Sequence, residues 1–133
     1  MDEPRHKLLE DAYAALNSGD VDRALTYVDP EIQLVTSGAF LDEGAVYRGH
    51  DGVRQFQAMV NDAFHGLLYD LVELIEIDED RALALVRAAG RGKGSGVEVE
   101  MDVGHLWTLR GDKVVRLEAY ADHESARVAA SSS

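Results

Sequence analysis

The sequence contains no cysteine. This absence excludes disulfide bonds, thiolate nucleophiles and cysteine-ligated metals, and it is compatible with a reducing compartment. Basic residues are also scarce, since 13 Lys and Arg stand against 25 Asp and Glu, giving a formal net charge of −12. Binding to nucleic acid or to an anionic membrane surface requires positive charge near phosphate groups. The composition therefore predicts neither a nucleic-acid partner nor a membrane partner.

Long apolar runs are missing as well. No stretch approaches the roughly 18 apolar residues that a membrane-spanning helix needs, and the polar segment Met1–Lys7 lacks the apolar core of a signal peptide. We therefore expect a cytoplasmic protein. Apolar residues still make up 46% of the 133 residues, which is enough for a packed core. The length fits one domain over 1–133, with an ordered core of about 5–127.

The spacing of the apolar residues predicts helices first and strands later. Helical spacing predicts helices over 5–18, 21–28, 51–64 and 122–130. Alternating or continuous apolar segments predict strands over 31–36, 67–77, 82–89, 97–109 and 113–121. The glycine-containing segment 37–49 shows little periodicity and is expected to be a long loop. Helices gathered against an antiparallel sheet are typical of the α+β class.

Three local motifs accompany this order of elements. They are Tyr13–Asp20 (YAALNSGD), Tyr47–Val53 (YRGHDGV) and His105–Val115 (HLWTLRGDKVV), and Tyr120–Asp122 closes the last strand. Together with the element order, they resemble the nuclear transport factor 2-like superfamily, especially its SnoaL-like and ketosteroid-isomerase-like branch. The resemblance extends over about 5–127. It implies a cone, in which a curled, mainly antiparallel (mixed) sheet packs against three helices and leaves a pocket at the wide end.

The resemblance also supplies catalytic positions with which this sequence can be compared. Ketosteroid isomerases use a carboxylate base, a helix-1 tyrosine and a protonated aspartate, and the aligned positions hold Thr36, Ala12 and Gly104. Limonene-type epoxide hydrolases need an aspartate where Ala119 stands, and an Arg-x-Asp pair where the sequence reads Val86–Ala89. Neither catalytic set is present, so neither reaction is expected.

The pocket lining follows from the resemblance and from strand alternation. If Gly104 faces the pocket, Asp102 and Leu106 face it too, and Asp102 becomes the candidate general acid or base. The other residues expected at the pocket are Tyr13, Thr36, Tyr47, Phe56, Leu117 and Ala119. In the alternative register Asp102 lies in water, the opposite row of the strand faces inward, and His105 is the candidate base.

The row of apolar residues opposite Asp102 has a consequence for assembly. If Leu106 and Leu117 fill the cone, the face that carries Trp107 needs another cover, and a second subunit would supply it. The resemblance also implies dimers packed through this face. We therefore predict a homodimer with Trp107 at or near the interface.

Neither a metal nor a cofactor is expected. The five histidines lack the His-x-x-x-His spacing that would favour a metal site. The glycine-rich run 90–96 precedes a predicted strand, whereas phosphate-binding loops lead into a helix. A flexible hairpin is the better interpretation of that run.

Two functions remain open at this point. In the first, the chain is a cofactor-free isomerase, cyclase or hydratase acting on a small hydrophobic molecule, with Asp102 as the acid or base and with Thr36 and Tyr47 orienting the substrate. In the second, it is a non-catalytic module for small-ligand binding or dimerisation. The vacant isomerase and hydrolase positions motivate the second hypothesis.

Overall fold

A computed structural model describes residues 3–37 and 45–131. The helices are α1 (Glu3–Ser18), α2 (Val21–Leu25), α3 (Gly49–Ala63) and α4 (His123–Ser131). The strands are β1 (Val28–Ser37), β2 (Val46–Arg48), β3 (Phe64–Glu76), β4 (Arg81–Gly92), β5 (Glu98–Arg110) and β6 (Lys113–Tyr120). The predicted α+β order is confirmed. Within these residues, no helix combines the length and apolar character needed to cross a membrane.

The segment 37–49, predicted to be a loop, contains a short strand. Residues 38–44 of that segment lie outside the described residues. β2 occupies most of the remainder and pairs antiparallel with β1, with Leu34 opposite Tyr47. A strand of three residues is too short to show a period in the sequence, so the alternation that reveals strands could not indicate it.

The strands form one mixed sheet in the order β2-β1-β6-β5-β4-β3. β3 to β6 pair antiparallel with their sequence neighbours, whereas β1 pairs parallel to β6. The register shifts within the β1–β6, β3–β4 and β5–β6 pairs. Such bulges bend strands and increase their twist, which fits the curled sheet expected of an α+β cone.

The inner face of the sheet packs against α1 and encloses the main core. That core combines Leu9 and Tyr13 of α1 with residues of the central strands. The strand residues are Ile32, Ala82, Ala84, Val86, Ala88, Val103, Trp107, Leu109 and Val114. On β5 the core residues are therefore the odd-numbered ones. The prediction that the even-numbered row of β5 faces the pocket is wrong.

Helix α4 covers the opposite face of the sheet. Leu83, Leu85 and Leu106 pack there against Ala126 and Ala130 of α4, and all five are buried. Leu106 thus lies outside the cone, and its predicted place in the pocket is wrong. A second subunit was expected to cover an outer face that carries Trp107; the outer row of β5 is instead the one that includes Leu106, and α4 of the same chain covers it.

Gly104 allows α4 to lie close to the sheet. A Cβ atom at this position would overlap the Cβ of Ala126 and would lie 3.5 Å from the carbonyl oxygen of Asp122. Glycine within a strand often marks such a close approach. Gly104 therefore faces the helix and not the cavity, although its position aligns with the isomerase aspartate.

Candidate functional site

An internal cavity of about 80 Å³ lies between the helices and the inner face of the sheet. Helices α1, α2 and α3 and strands β1, β3, β5 and β6 all contribute to its wall. Phe56, Leu117 and Ala119, which were expected at the pocket, are among the lining residues. His105 and Trp107 line it as well, together with further apolar side chains such as Leu34 and Val53.

The register of the sheet brings the imidazole and the indole to the same wall. His105 lies opposite Ala119 of β6, and Trp107 lies opposite Leu117. Residues directly opposite one another on neighbouring strands share a face of the sheet. His105 and Trp107 therefore project inward beside the two β6 residues, and Trp107 does not lie on an outer face. The predicted interface position of Trp107 is wrong, because its side chain is only 3% exposed within the single chain.

A chain of hydrogen bonds joins three buried side chains at this wall. Trp107 Nε1 donates to Tyr13 Oη over 2.9 Å, and Tyr13 Oη lies 2.6 Å from His105 Nδ1. The Tyr13 ring stacks on the His105 ring with centroids 5.8 Å apart and meets the Trp107 ring edge-on at 5.4 Å. Tyr13 thus stands behind the cavity wall and holds both lining side chains in place.

Burial sets the protonation states of these groups. It lowers the pKa of His105 to about 4 and raises the pKa of Tyr13 well above its usual value. It also raises the pKa of Tyr69, another lining residue, to about 12. All three groups are therefore neutral at neutral pH, because a low-dielectric environment disfavours the charged forms.

The second ring nitrogen of His105 is a polar atom that remains open to the cavity. The hydrogen bond of the ring is made by Nδ1, and no described residue pairs with Nε2. Every fully buried side-chain nitrogen or oxygen in the described residues has a partner. Because Nε2 has none, it must lie at the accessible surface, and His105 is a lining residue with 8% of its surface exposed. A ligand in the cavity can therefore reach it.

Tyr69 forms another part of the wall that the sequence did not indicate. Its ring centroid lies 5.9 Å from that of His105. The side-chain amide of Asn17 bonds both the carbonyl oxygen and the N–H of Tyr69, each over 2.7 Å. This pair of hydrogen bonds from the end of α1 holds the main chain of Tyr69 in place between the two register shifts of the β3–β4 pair. In the sequence, Tyr69 is a single aromatic residue in an apolar segment. This pattern does not distinguish a cavity wall from ordinary core.

Asp102 lies on the outer face of β5. Its side chain is 53% exposed, and its Oδ1 lies 3.3 Å from Arg87 Nε. Arg87 also contacts Glu100 over 3.1 Å, so the carboxylates on this face form solvent-exposed ion pairs. Pairs of this kind contribute little to stability. The expected orientation of Asp102 toward the pocket is wrong, because its row of β5 faces outward.

Thr36 and Tyr47 are buried beside the cavity, and neither belongs to its described lining. Thr36 Oγ1 bonds the carbonyl oxygen and the N–H of Ala45 over 3.2 and 3.1 Å, which ties β1 to the residue before β2. Tyr47 meets the ring of Phe56 edge-on at 5.4 Å, and its hydroxyl contacts Met59 Sδ over 3.8 Å. Both side chains support the wall from behind.

A more polar chamber of about 160 Å³ adjoins the apolar cavity. The two share Leu16, Ala24 and Gln57. Polar residues of α1 and α3 line this outer chamber, among them Ser18 and Asn61. The inner cavity has about half of the ~150 Å³ that holds a benzene molecule. A ligand larger than the inner cavity would have to extend toward the outer chamber, whose lining is more polar.

Two other histidines bond carbonyl oxygens of the main chain. His50 Nε2 lies 2.9 Å from the carbonyl oxygen of Val28, and His123 Nε2 lies 3.1 Å from that of Val86. Over residues 3–37 and 45–131, no three His, Asp or Glu side chains are grouped so that they could hold a metal ion. No charged side chain of the described residues lines the inner cavity.

Replacing Tyr13 with phenylalanine is expected to lower the free energy of unfolding by about 2 kcal/mol, because the Trp107 N–H and His105 Nδ1 each lose a partner inside the core. Urea denaturation followed by circular dichroism measures the change. Tyr27→Phe is the matched control, with an expected change below about 0.5 kcal/mol. Equal stability of Tyr13→Phe and the control would contradict the hydrogen-bonded chain.

The fold and the cavity can be compared with those of known proteins. A family model described as a SnoaL-like domain matches residues 9–117. No curated protein matches the sequence.

Solved structures of similar shape cover nearly the whole chain. TerC co-crystallised with polyporic acid is 23% identical with a TM-score of 0.79, over 97% of this chain and 99% of that chain. A nuclear transport factor 2-like protein of unknown function from Burkholderia pseudomallei is 19% identical with a TM-score of 0.80, over 91% and 92%. A protein with a ketosteroid isomerase-like fold from Catenulispora acidiphila, in complex with trimethylamine, is 14% identical with a TM-score of 0.76, over 93% and 92%. At these identities the similarity establishes the fold.

Proposed function

Because the chain belongs to the SnoaL-like domain family, we propose that it binds a small, mostly hydrophobic molecule in the cavity beside His105 and acts on it without a cofactor. The observation that carries the proposal is an imidazole with an open Nε2 in a mostly apolar wall. Pockets with mostly apolar walls and a few placed polar groups are typical small-molecule sites.

The charge of the site disfavours an anionic ligand. No Lys or Arg of the described residues lines the inner cavity, and Asp20 stands at the outer chamber. The chain as a whole carries a formal charge of −12. An anion would have to enter this field without a compensating cation at its binding site, which costs free energy.

The chemistry open to His105 is proton transfer, or hydrogen-bond donation to a ligand oxygen on which negative charge develops. Isomerisation, cyclisation and hydration each require a proton to move to or from carbon or oxygen, and histidine is the side chain that most often does this. Inside an apolar cavity a hydrogen bond to a developing charge is stronger than in water. His105 was the alternative candidate of the sequence, and the inward orientation of its row supports it over Asp102.

A second candidate function is binding without turnover. It is favoured by the pKa of His105, which burial lowers to about 4, so that the ring is not a cationic acid at neutral pH. No carboxylate of the described residues lines the cavity to act as its partner. The co-crystallisation of TerC with polyporic acid supports small-molecule binding in this fold without choosing between the two functions.

Cavity binding can be followed through the one tryptophan of the chain, Trp107, which lines the cavity. We expect saturable quenching or enhancement of its fluorescence on titration with the neutral probe acetophenone. Ala119→Leu, which fills the cavity from β6, is expected to weaken binding at least about tenfold. Asp102→Asn changes only the outer face and is the matched control. A response that does not saturate, or equal affinity in Ala119→Leu, would argue against the cavity as the site.

Turnover can be separated from binding with the same probe. Acetophenone has exchangeable protons beside its carbonyl group, so incubation in D₂O followed by mass spectrometry detects proton transfer. If His105 assists this reaction by donating a hydrogen bond to the carbonyl oxygen while water takes the proton from carbon, exchange is expected to be about 100-fold faster than in a His105→Asn variant. Binding with no acceleration would support the non-catalytic function.

The homodimer and the cytoplasmic location stay predictions. An uncovered sheet face no longer supports a dimer, because α4 covers the outer row that includes Leu106. Sedimentation velocity at micromolar concentration measures the oligomeric state directly.

A further inference from the structure

The direction of the buried hydrogen bonds determines which group His105 offers to a ligand. Trp107 Nε1 can only donate, so Tyr13 Oη accepts along their 2.9 Å contact. The hydroxyl hydrogen of Tyr13 then needs an acceptor of its own. The partner that the described residues offer is His105 Nδ1, at 2.6 Å.

The opposite arrangement leaves a buried hydrogen without a partner. If His105 Nδ1 carried the proton and donated to Tyr13, the phenolic oxygen would accept two hydrogen bonds and its O–H would point at nothing. Tyr13 is only 3% exposed, so water cannot replace the missing acceptor. Buried polar hydrogens are rarely left in this state.

We propose, building on the proposed function, that the chain Trp107→Tyr13→His105 fixes the tautomer of His105 with the proton on Nε2, so that the cavity recognises a neutral ligand through a hydrogen-bond acceptor such as a carbonyl oxygen. A neutral imidazole has one N–H donor and one bare nitrogen acceptor. Because Nδ1 accepts from Tyr13, the donor is Nε2, the nitrogen open to the cavity.

This assignment changes the role of His105. Its open nitrogen already carries a proton, so it donates a hydrogen bond to the ligand and does not serve as a ready base. The three donors point in one sequence, from indole to phenol to imidazole to ligand, and each bond polarises the next. Negative charge that develops on a ligand oxygen would be stabilised by the whole chain. Tyr13 and Trp107 act here as positioning residues.

The tautomer is measured directly by ¹⁵N NMR of the histidine rings at neutral pH. His105 is expected to show a protonated Nε2 and a bare Nδ1. His50 and His123 are internal references, since their Nε2 atoms face carbonyl oxygens at 2.9 and 3.1 Å. Tyr13→Phe is expected to leave a mixture of tautomers at His105. A protonated Nδ1 in the unmodified protein would overturn the proposal.

Ligand selectivity tests whether the cavity recognises a hydrogen-bond acceptor. Acetophenone is compared with α-methylstyrene, in which a methylene group replaces the carbonyl oxygen, and Trp107 fluorescence reports binding of both. We expect acetophenone to bind at least about tenfold more tightly to the unmodified protein. The preference is expected to fall to within about twofold in His105→Phe, and also to decrease in Tyr13→Phe, which keeps the imidazole.

The outcomes separate this proposal from the proposed function. Equal affinity for the two probes would overturn recognition of an acceptor while leaving a hydrophobic binding site in place. Failure of both probes to bind saturably would contradict the proposed function, and the NMR tautomer would then decide the donor assignment on its own. Should His105→Phe not fold, Tyr13→Phe supplies the selectivity comparison.

Discussion

Replacing Gly104 with alanine is expected to lower the free energy of unfolding by about 3 kcal/mol. The added methyl group would overlap the Cβ of Ala126, so α4 must move away from β5. That movement would expose Leu106 and its neighbours in the second core cluster. Thermal unfolding is expected to shift down by about 10 °C for a chain of this size.

The partner residue supplies the control for this effect. Ala126→Gly alone costs about 1 kcal/mol, because glycine weakens a helix interior. In the double variant Gly104→Ala with Ala126→Gly the overlap is gone, and most of the lost stability should return. Additive effects of the two substitutions in this cycle would show that the close approach of α4 to β5 is not the cause.

Lowering the pH is expected to remove about 3 kcal/mol of stability through His105 alone. Burial lowers its pKa from 6.5 to about 4 in the folded protein. The unfolded chain therefore takes up a proton as the pH falls through 6.5, whereas the folded protein does so only near 4. The contribution is fully present above the unfolded pKa and is lost progressively as the pH falls toward the folded one.

Comparison of variants isolates this contribution from that of the many carboxylates. His105→Asn keeps an acceptor for Tyr13 but no longer titrates, so its stability should fall by about 3 kcal/mol less than that of the unmodified protein between neutral pH and about pH 4. His65→Asn changes an exposed histidine and should follow the unmodified protein. Parallel pH profiles for His105→Asn and the unmodified protein would exclude a buried neutral imidazole.

Much of the fold follows from periodicity in the sequence. The helices α1 and α3 and the strands β3 to β6 were predicted within a few residues, because each has a long apolar stripe or a long alternating run. Glycine at the β5–β6 turn also gave the correct hairpin, and Gly111 has a φ of +63°, where glycine is favoured. Such features depend on local spacing, which the sequence displays directly.

Periodicity could not predict which face of β5 points inward. Residues 103–107 are all buried, because the inner row packs against α1 and the outer row packs against α4. Where both faces of a strand are covered, the apolar and polar residues no longer alternate with the side of the sheet. The predicted orientation depended on Gly104, and a glycine has no side chain to indicate its face.

Part of the site could be predicted from the sequence. Phe56, Leu117 and Ala119 lie on elements with one apolar face, and all three line the cavity. The chain from Trp107 through Tyr13 to His105 joins residues 92 and 94 positions apart in sequence. No spacing rule links positions so distant, so the contact that defines the imidazole depends on the tertiary structure.

The parallel pairing of β1 with β6 has a kinetic consequence. Gln33 and Arg116, which bond across this pair, are 83 residues apart. During synthesis, β1, which carries the cavity residues Ile32 and Leu34, is made long before β6. The edge of β1 that pairs with β6 therefore stays unpaired until β6 has been made. Closing so long a loop is slow, and the unpaired edge is open to other chains in the meantime. The pairing that completes the cavity wall is therefore expected to form late in folding, and a chain in which it has not yet formed is expected to be prone to aggregation.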